Sequence, residues 1–98
     1  MRYNLRKYLS EAKDDYQVYH DTLTSAVQEM EKWATKKKFE LDKEELAEKI
    51  GLGPAKPKDG KTNKYNLTLY KNGKAQKKML QMQVYGMGNK YELNMYIL

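Results

Sequence analysis

Apolar and polar side chains alternate over three segments in the last third of the chain. From Lys64 to Tyr70 the odd positions Tyr65, Leu67 and Leu69 are apolar; from Lys78 to Tyr85 the even positions Leu80, Met82 and Val84 are; from Lys90 to Ile97 the set is Tyr91, Leu93, Met95 and Ile97. A period of two belongs to strands with one buried face. Between the first two segments stands Asn72-Gly73, the preferred pair for a type I′ hairpin turn. If Lys71 faces Lys74 across that turn, odd core positions on the first strand meet even ones on the second, so register and hydrophobic pattern agree. A second turn within Gly86-Met87-Gly88-Asn89 returns the chain with a loop of even length and preserves the match.

Upstream the spacing becomes helical. Leu5, Tyr8, Leu9, Ala12, Tyr16 and Tyr19 follow a helix that Asn4 can cap, although Tyr16-Gln17-Val18-Tyr19-His20 reads equally as a short strand. Leu23, Ala26, Val27, Met30, Trp33 and Ala34 form one stripe; Asp21, Thr22 or Thr24 can cap its start, and Lys36-Lys37-Lys38 suits the negative end of the helix dipole. Asp42-Lys43-Glu44-Glu45 predicts a capping box, with Asp42 accepting from the backbone of Glu45 and the Glu45 carboxylate reaching back. Leu46, Ala47 and Ile50 give the following short helix its buried face, and Gly51, Gly53 and Pro54 end it. Pro54 to Gly60 has no periodicity and is expected to be an exposed loop. The prediction is a single domain over residues 1–98, with a helical part at 1–53, a loop at 54–63 and a sheet at 64–98. Its class is α+β, with N-terminal helices packed on one face of a C-terminal three-stranded antiparallel meander.

Charge divides the chain at the same loop. Up to Asp59 every base is matched by an acid, whereas Lys61, Lys64, Lys71, Lys74, Lys77, Lys78 and Lys90 stand against Glu92 alone and carry the whole net charge of +6. A basic sheet on a neutral helical part points to an anionic partner. The bases are nearly all lysine, which suits attraction to phosphate better than bidentate reading of guanine. No cysteine is present, which fits a reducing compartment. No apolar run approaches the roughly 20 residues of a membrane span, and MRYNLRKYLSEAKDD lacks the apolar core of a signal peptide. A soluble cytoplasmic protein with no membrane association is expected.

The polar face of the predicted sheet carries Asn66, Thr68 and Tyr70, then Met79, Gln81, Gln83 and Tyr85, then Glu92, Asn94 and Tyr96. In a chain so rich in charge, an ordinary solvated face would be charged; this one is made of amides and tyrosines. Lysines are expected at its two ends, Lys71, Lys74, Lys77 and Lys78 beside the first hairpin and Lys61, Lys64 and Lys90 opposite. Tyrosines stack on bases, amides bond base edges and lysines neutralise phosphate, so Tyr70, Gln81, Gln83, Tyr85, Asn94 and Tyr96 with those lysines are candidate nucleic-acid contacts. The same residues also suit a protein surface, covered by the N-terminal helix or by a second copy of the chain in a homodimer.

Other motifs carry less. Ala55 to Thr62 satisfies a loose phosphate-loop pattern, but that mechanism needs a strand before the loop and a helix after it, and here a strand follows. Asp14, Asp15 and His20 lack a second nitrogen or sulfur ligand, and adjacent aspartates on a helix point different ways. Asn66-Leu67-Thr68 matches a glycosylation acceptor inside a predicted strand. No nucleophile and base, carboxylate pair or metal-ligand set emerges, so a non-enzymatic protein without cofactor or metal is expected.

The stretches GPAKPKDGKTNKYNLTLYKNGK and LQMQVYGMGNKYELNMYI, and more weakly Tyr19-His20 and Ser25-Ala26-Val27, resemble small proteins encoded by tailed bacteriophages, especially T4-like phages of marine bacteria. The resemblance brings no activity, cofactor or site residue with it. It implies a bacterial host cell and a phage accessory role, either binding phage or host nucleic acid or binding and inhibiting a host protein.

Overall fold

A computed structural model describes residues 16–51 and 56–98. Its elements are strand β1 (Tyr19–His20), helix α1 (Leu23–Lys36), helix α2 (Lys43–Leu46) passing into a π-helical turn (Ala47–Gly51), and strands β2 (Thr62–Lys71), β3 (Lys74–Gly86) and β4 (Tyr91–Ile97). The fold is α+β, with a four-stranded antiparallel sheet in the order β1-β4-β3-β2. The three predicted strands form a meander, but β1 joins its outer edge. It does so because β4 presents N–H groups there that need acceptors: Leu93 donates to the Val18 carbonyl at 2.7 Å and Met95 to the Tyr16 hydroxyl at 3.0 Å. Of the two readings that Tyr16 to His20 allows, the strand is therefore the one formed; the helical positions Leu5 to Ala12 and the Asn4 cap lie outside the described residues.

The alternating positions form the core as expected. Leu67, Leu69, Leu80, Met82, Val84 and Leu93 are fully enclosed, Tyr65 and Met95 nearly so, and Ala26, Met30, Trp33, Ala34, Leu46 and Ile50 cover them from the helical side. Val27 is only half-buried. Asn72 and Gly73 take φ of 53° and 78°, the type I′ turn that the pair predicts, with Lys71 opposite Lys74. Beyond Tyr70–Ala75 the ladder shifts, resuming at Thr68–Met79 with Gln76, Lys77 and Lys78 opposite Leu69 alone. Two extra residues leave the parity intact, so odd still meets even along the rest of the hairpin.

Thr22 caps α1, accepting from the Ser25 N–H at 3.0 Å. At the other end, Phe39 N–H reaches the Ala34 carbonyl and Lys38 N–H that of Thr35, a Schellman closure that puts Lys38 at φ 72°. The predicted capping box is not formed. Asp42 accepts from Glu44 rather than Glu45, because the Glu45 carboxylate turns outward to β2, where it accepts from the Thr68 N–H (3.0 Å) and hydroxyl (3.1 Å). Lys49 bonds both Glu45 (2.9 Å) and the Asn66 carbonyl (2.6 Å), and Glu40 exchanges backbone bonds with Tyr70. The outer edge of β2 from Asn66 to Tyr70 is thus occupied.

The segment before β2 is more ordered than a free loop, and β2 begins at Thr62, two residues earlier than expected. Pro57 is buried, and Lys58-Asp59-Gly60-Lys61 makes a turn closed by Lys61 N–H to the Lys58 carbonyl, with Gly60 at φ 77°. Gly86 lies at the end of β3 rather than in the turn: its backbone exchanges bonds with Gly60 and Lys61, and a Cβ there would meet the Lys58 carbonyl oxygen at 2.4 Å. Pro54 and Ala55 fall outside the described residues.

Candidate nucleic-acid interface

Strand pairing sorts the outer face into rows. One row runs Asn66–Gln81–Tyr96, the next Lys64–Gln83–Asn94, the next Thr62–Tyr85–Glu92–Tyr19. At the far end Thr68 faces Met79, which exchanges both backbone bonds with Leu98. Successive rows are about 7 Å apart and neighbouring strands about 5 Å. Tyr19 is exposed by 54%, Tyr85 by 38%, Tyr96 by 45% and Leu98 by 72%, so of the large hydrophobic side chains exposed among the described residues only Met87 lies off this face. Gln81, Gln83, Asn94 and Glu92 are half-buried between them.

The structure brings Gln81, Gln83, Tyr85, Asn94 and Tyr96 together as expected. Tyr70 sits apart, half-buried and opposite Ala75 in the hairpin tip beyond the end of β4. The lysines are less uniform than predicted. Lys64 stands within the face beside Gln83, whereas Lys71 turns to the helical side, with Nζ 5.0 Å from the Phe39 ring centre. Lys90 bonds Asp21 at 2.8 Å, and this hydrogen bond, reinforced by the lysine charge, holds the Asp21 carboxyl below its usual range. Long lysine stems take whichever partner the fold brings near, so Lys71 and Lys90 are not free rim charges. Lys61, Lys74 and Lys77 are exposed, Lys61 before β2 and the other two in the hairpin tip. With β2 spanning ten residues, the two ends lie roughly 30 Å apart.

Sequence reasoning missed Tyr19 and Leu98. The alternation in Tyr16 to His20 holds the signal for the first: Tyr19 faces outward beside Glu92, and His20 inward. His20 is buried, its Nε2 donating to the Gln17 carbonyl at 2.8 Å and its Nδ1 bonded to the Ser25 hydroxyl at 2.7 Å, so both nitrogens are in use as structural links. No group of three metal-binding side chains occurs among the described residues, and Asp14 and Asp15 lie outside them. In the loop with the phosphate-loop pattern, the Gly60 and Lys61 N–H groups already donate to Gly86 and Lys58. The Thr68 hydroxyl of the glycosylation pattern is bonded to Glu45.

On the helical side, two open recesses of about 740 and 800 Å3 flank Leu46, divided by the Glu31–Lys43 pair at 3.9 Å. Trp33, Phe39 and Leu41 line one, Leu23, Val27 and Ile50 the other. Among the described residues no helix is long and apolar enough to cross a membrane. Comparison with protein-family models, curated proteins and solved structures finds no match.

Proposed function

We propose that this is a non-enzymatic protein that binds nucleic acid with low sequence specificity through the outer face of its sheet. The observation that carries the reading is the concentration of exposed rings on that face, with Tyr19, Tyr85 and Tyr96 set among amides and Lys64. Exposed aromatic area of this kind marks an interaction surface; rings with amides match unpaired bases and their edges. The excess of lysine over acid in the sheet supplies the long-range attraction, and Lys61, Lys74 and Lys77 extend it toward both ends of a long polymer. The setting we propose is the bacterial cytoplasm, as a phage accessory protein. A titration of labelled polynucleotide at increasing salt tests the reading: affinity should fall with a log–log slope of about 0.7 to 0.9 per neutralised phosphate, and Lys74→Gln with Lys77→Gln should flatten it. A protein that binds neither DNA nor RNA at low salt would refute it.

A second reading has its own observation. Met79, Leu98 and Tyr96 form an apolar corner on the same face, which suits a protein partner or a second copy of the chain. A dimer in solution that Tyr85→Ala dissociates, with no nucleic-acid binding, would favour it.

A further inference from the structure

Resting on the nucleic-acid reading, we infer that the face takes single strands rather than duplexes, with the backbone of the strand along β2 and its bases laid across β3 and β4. The rows show why. On β2 the outward residues Thr62, Lys64 and Asn66 are all exposed, and they offer a hydroxyl, an ammonium and an amide to phosphate and sugar. Across β3 and β4 lie Tyr96, then Gln83 with Asn94, then Tyr85: a ring, a pair of amides, a ring. The one carboxylate of these rows, Glu92, is on β4, two strands or about 10 Å from the β2 margin. Its charge therefore lies away from the phosphates and beside the bases, where a carboxylate accepts from amino groups.

Stacking on the rings excludes a continuously stacked ligand. Tyr96 and Tyr85 are two rows and one strand apart, about 14 Å. Four steps of a stacked strand, about 3.4 Å each, also cover that distance, but a base inside a stack has both faces occupied, so bases laid on the two rings must be unstacked from their neighbours, with an intervening edge turned to Gln83 and Asn94. A duplex keeps its bases stacked and paired, and it would touch this flat face only through phosphates, leaving the rings unused. Tyr19, beyond Glu92 in the same row, can take a further base only where the strand turns across the sheet.

The test uses a fluorescein-labelled mixed-sequence octanucleotide of DNA, the same sequence in RNA, and the DNA octanucleotide annealed to its complement, by anisotropy with the full chain. The single strands should bind at least tenfold more tightly than the duplex. Tyr85→Ala and Tyr96→Ala should each weaken single-strand binding by about 5- to 150-fold, while Tyr85→Phe and Tyr96→Phe, which keep the ring, should change it less than threefold. Lys64→Gln should lower the salt slope by about 0.7; far-ultraviolet circular dichroism checks that each variant is folded. Equal or tighter binding of the duplex, sensitive to lysine but not tyrosine substitution, overturns the inference and leaves the nucleic-acid reading standing. Absence of binding to all three probes at low salt overturns both.

Discussion

Adding one methyl group at Gly86 should unfold the molecule at markedly lower temperature. An ideal Cβ there lies 2.4 Å from the Lys58 carbonyl oxygen and 2.9 Å from that of Pro57, whereas carbon and oxygen normally approach no closer than about 3.3 Å. Both obstacles are backbone, so the 57–60 segment must withdraw by close to 1 Å. That movement strains three bonds: Gly60 N–H to the Gly86 carbonyl (2.8 Å), Gly86 N–H to the Lys61 carbonyl (2.9 Å), and Gly88 N–H to the Asp59 carboxylate (2.7 Å). Overpacking costs about 1 to 3 kcal/mol and each lost bond about 0.5 to 1.5 kcal/mol. Alanine would otherwise gain about 0.5 to 1 kcal/mol over glycine in a strand. With all three bonds lost the balance is a loss of about 1.5 to 7 kcal/mol; for 98 residues the unfolding entropy is about 0.2 kcal/mol/K, so the melting temperature should drop by roughly 7 to 35 °C. Thermal and urea unfolding followed by circular dichroism measures this. Gly51→Ala, where nothing lies within 4 Å of the added carbon, is the control and should be neutral or mildly stabilising. A Gly86→Ala protein as stable as its parent would show that the 57–60 segment does not press against β3 as described.

Leu80→Ala and Leu93→Ala, both at fully enclosed positions, should each cost about 2 to 5 kcal/mol in urea unfolding; near-neutral values would mean the inner and outer faces of the sheet are interchanged. Burial raises the Glu45 carboxyl, but Lys49 and the two Thr68 donors outweigh it and leave the pKa lowered. Its contribution to stability is therefore complete above the ordinary glutamate range near about 4.3 and is lost as pH falls through the depressed value. Urea midpoints at neutral and acid pH should accordingly fall more steeply for the parent than for Glu45→Gln; equal falls would place Glu45 in solvent. Lys38→Gly should stabilise by about 1 kcal/mol, since φ 72° suits glycine and strains lysine; a loss would mean that the lysine side chain itself holds the end of α1.

Much of the core was legible because alternation is a local signal. Leu80, Met82 and Val84 had only to follow their own parity, and Asn72-Gly73 had only to supply two positive φ values. What escaped reading depends on partners far along the chain. The choice between helix and strand for Tyr16 to His20 could not be made locally, because β1 exists where Leu93 and Met95 need acceptors. Glu45 has a sound local use in a capping box, yet it bonds Thr68, 23 residues away, and Lys90 bonds Asp21, 69 residues away. The place of Gly86 at the end of β3 reflects a close approach by Pro57 and Lys58 that no local rule anticipates. For the candidate site, the amides and two of the three tyrosines were evident from the alternation, while Tyr19 waited on the edge strand and Lys71 on the position of Phe39.

The alternation in β3 places two kinds of information on one segment. Leu80, Met82 and Val84 answer to the interior, and Gln81, Gln83 and Tyr85 to whatever meets the sheet. Of the outward three only Tyr85 is exposed, and substitutions at exposed positions free of special structural roles usually change stability by less than about 0.5 kcal/mol. Mutation can therefore change the outer surface at such a position without disturbing the fold that presents it. On β3 each new outward side chain would be held in register by unchanged inward neighbours on either side.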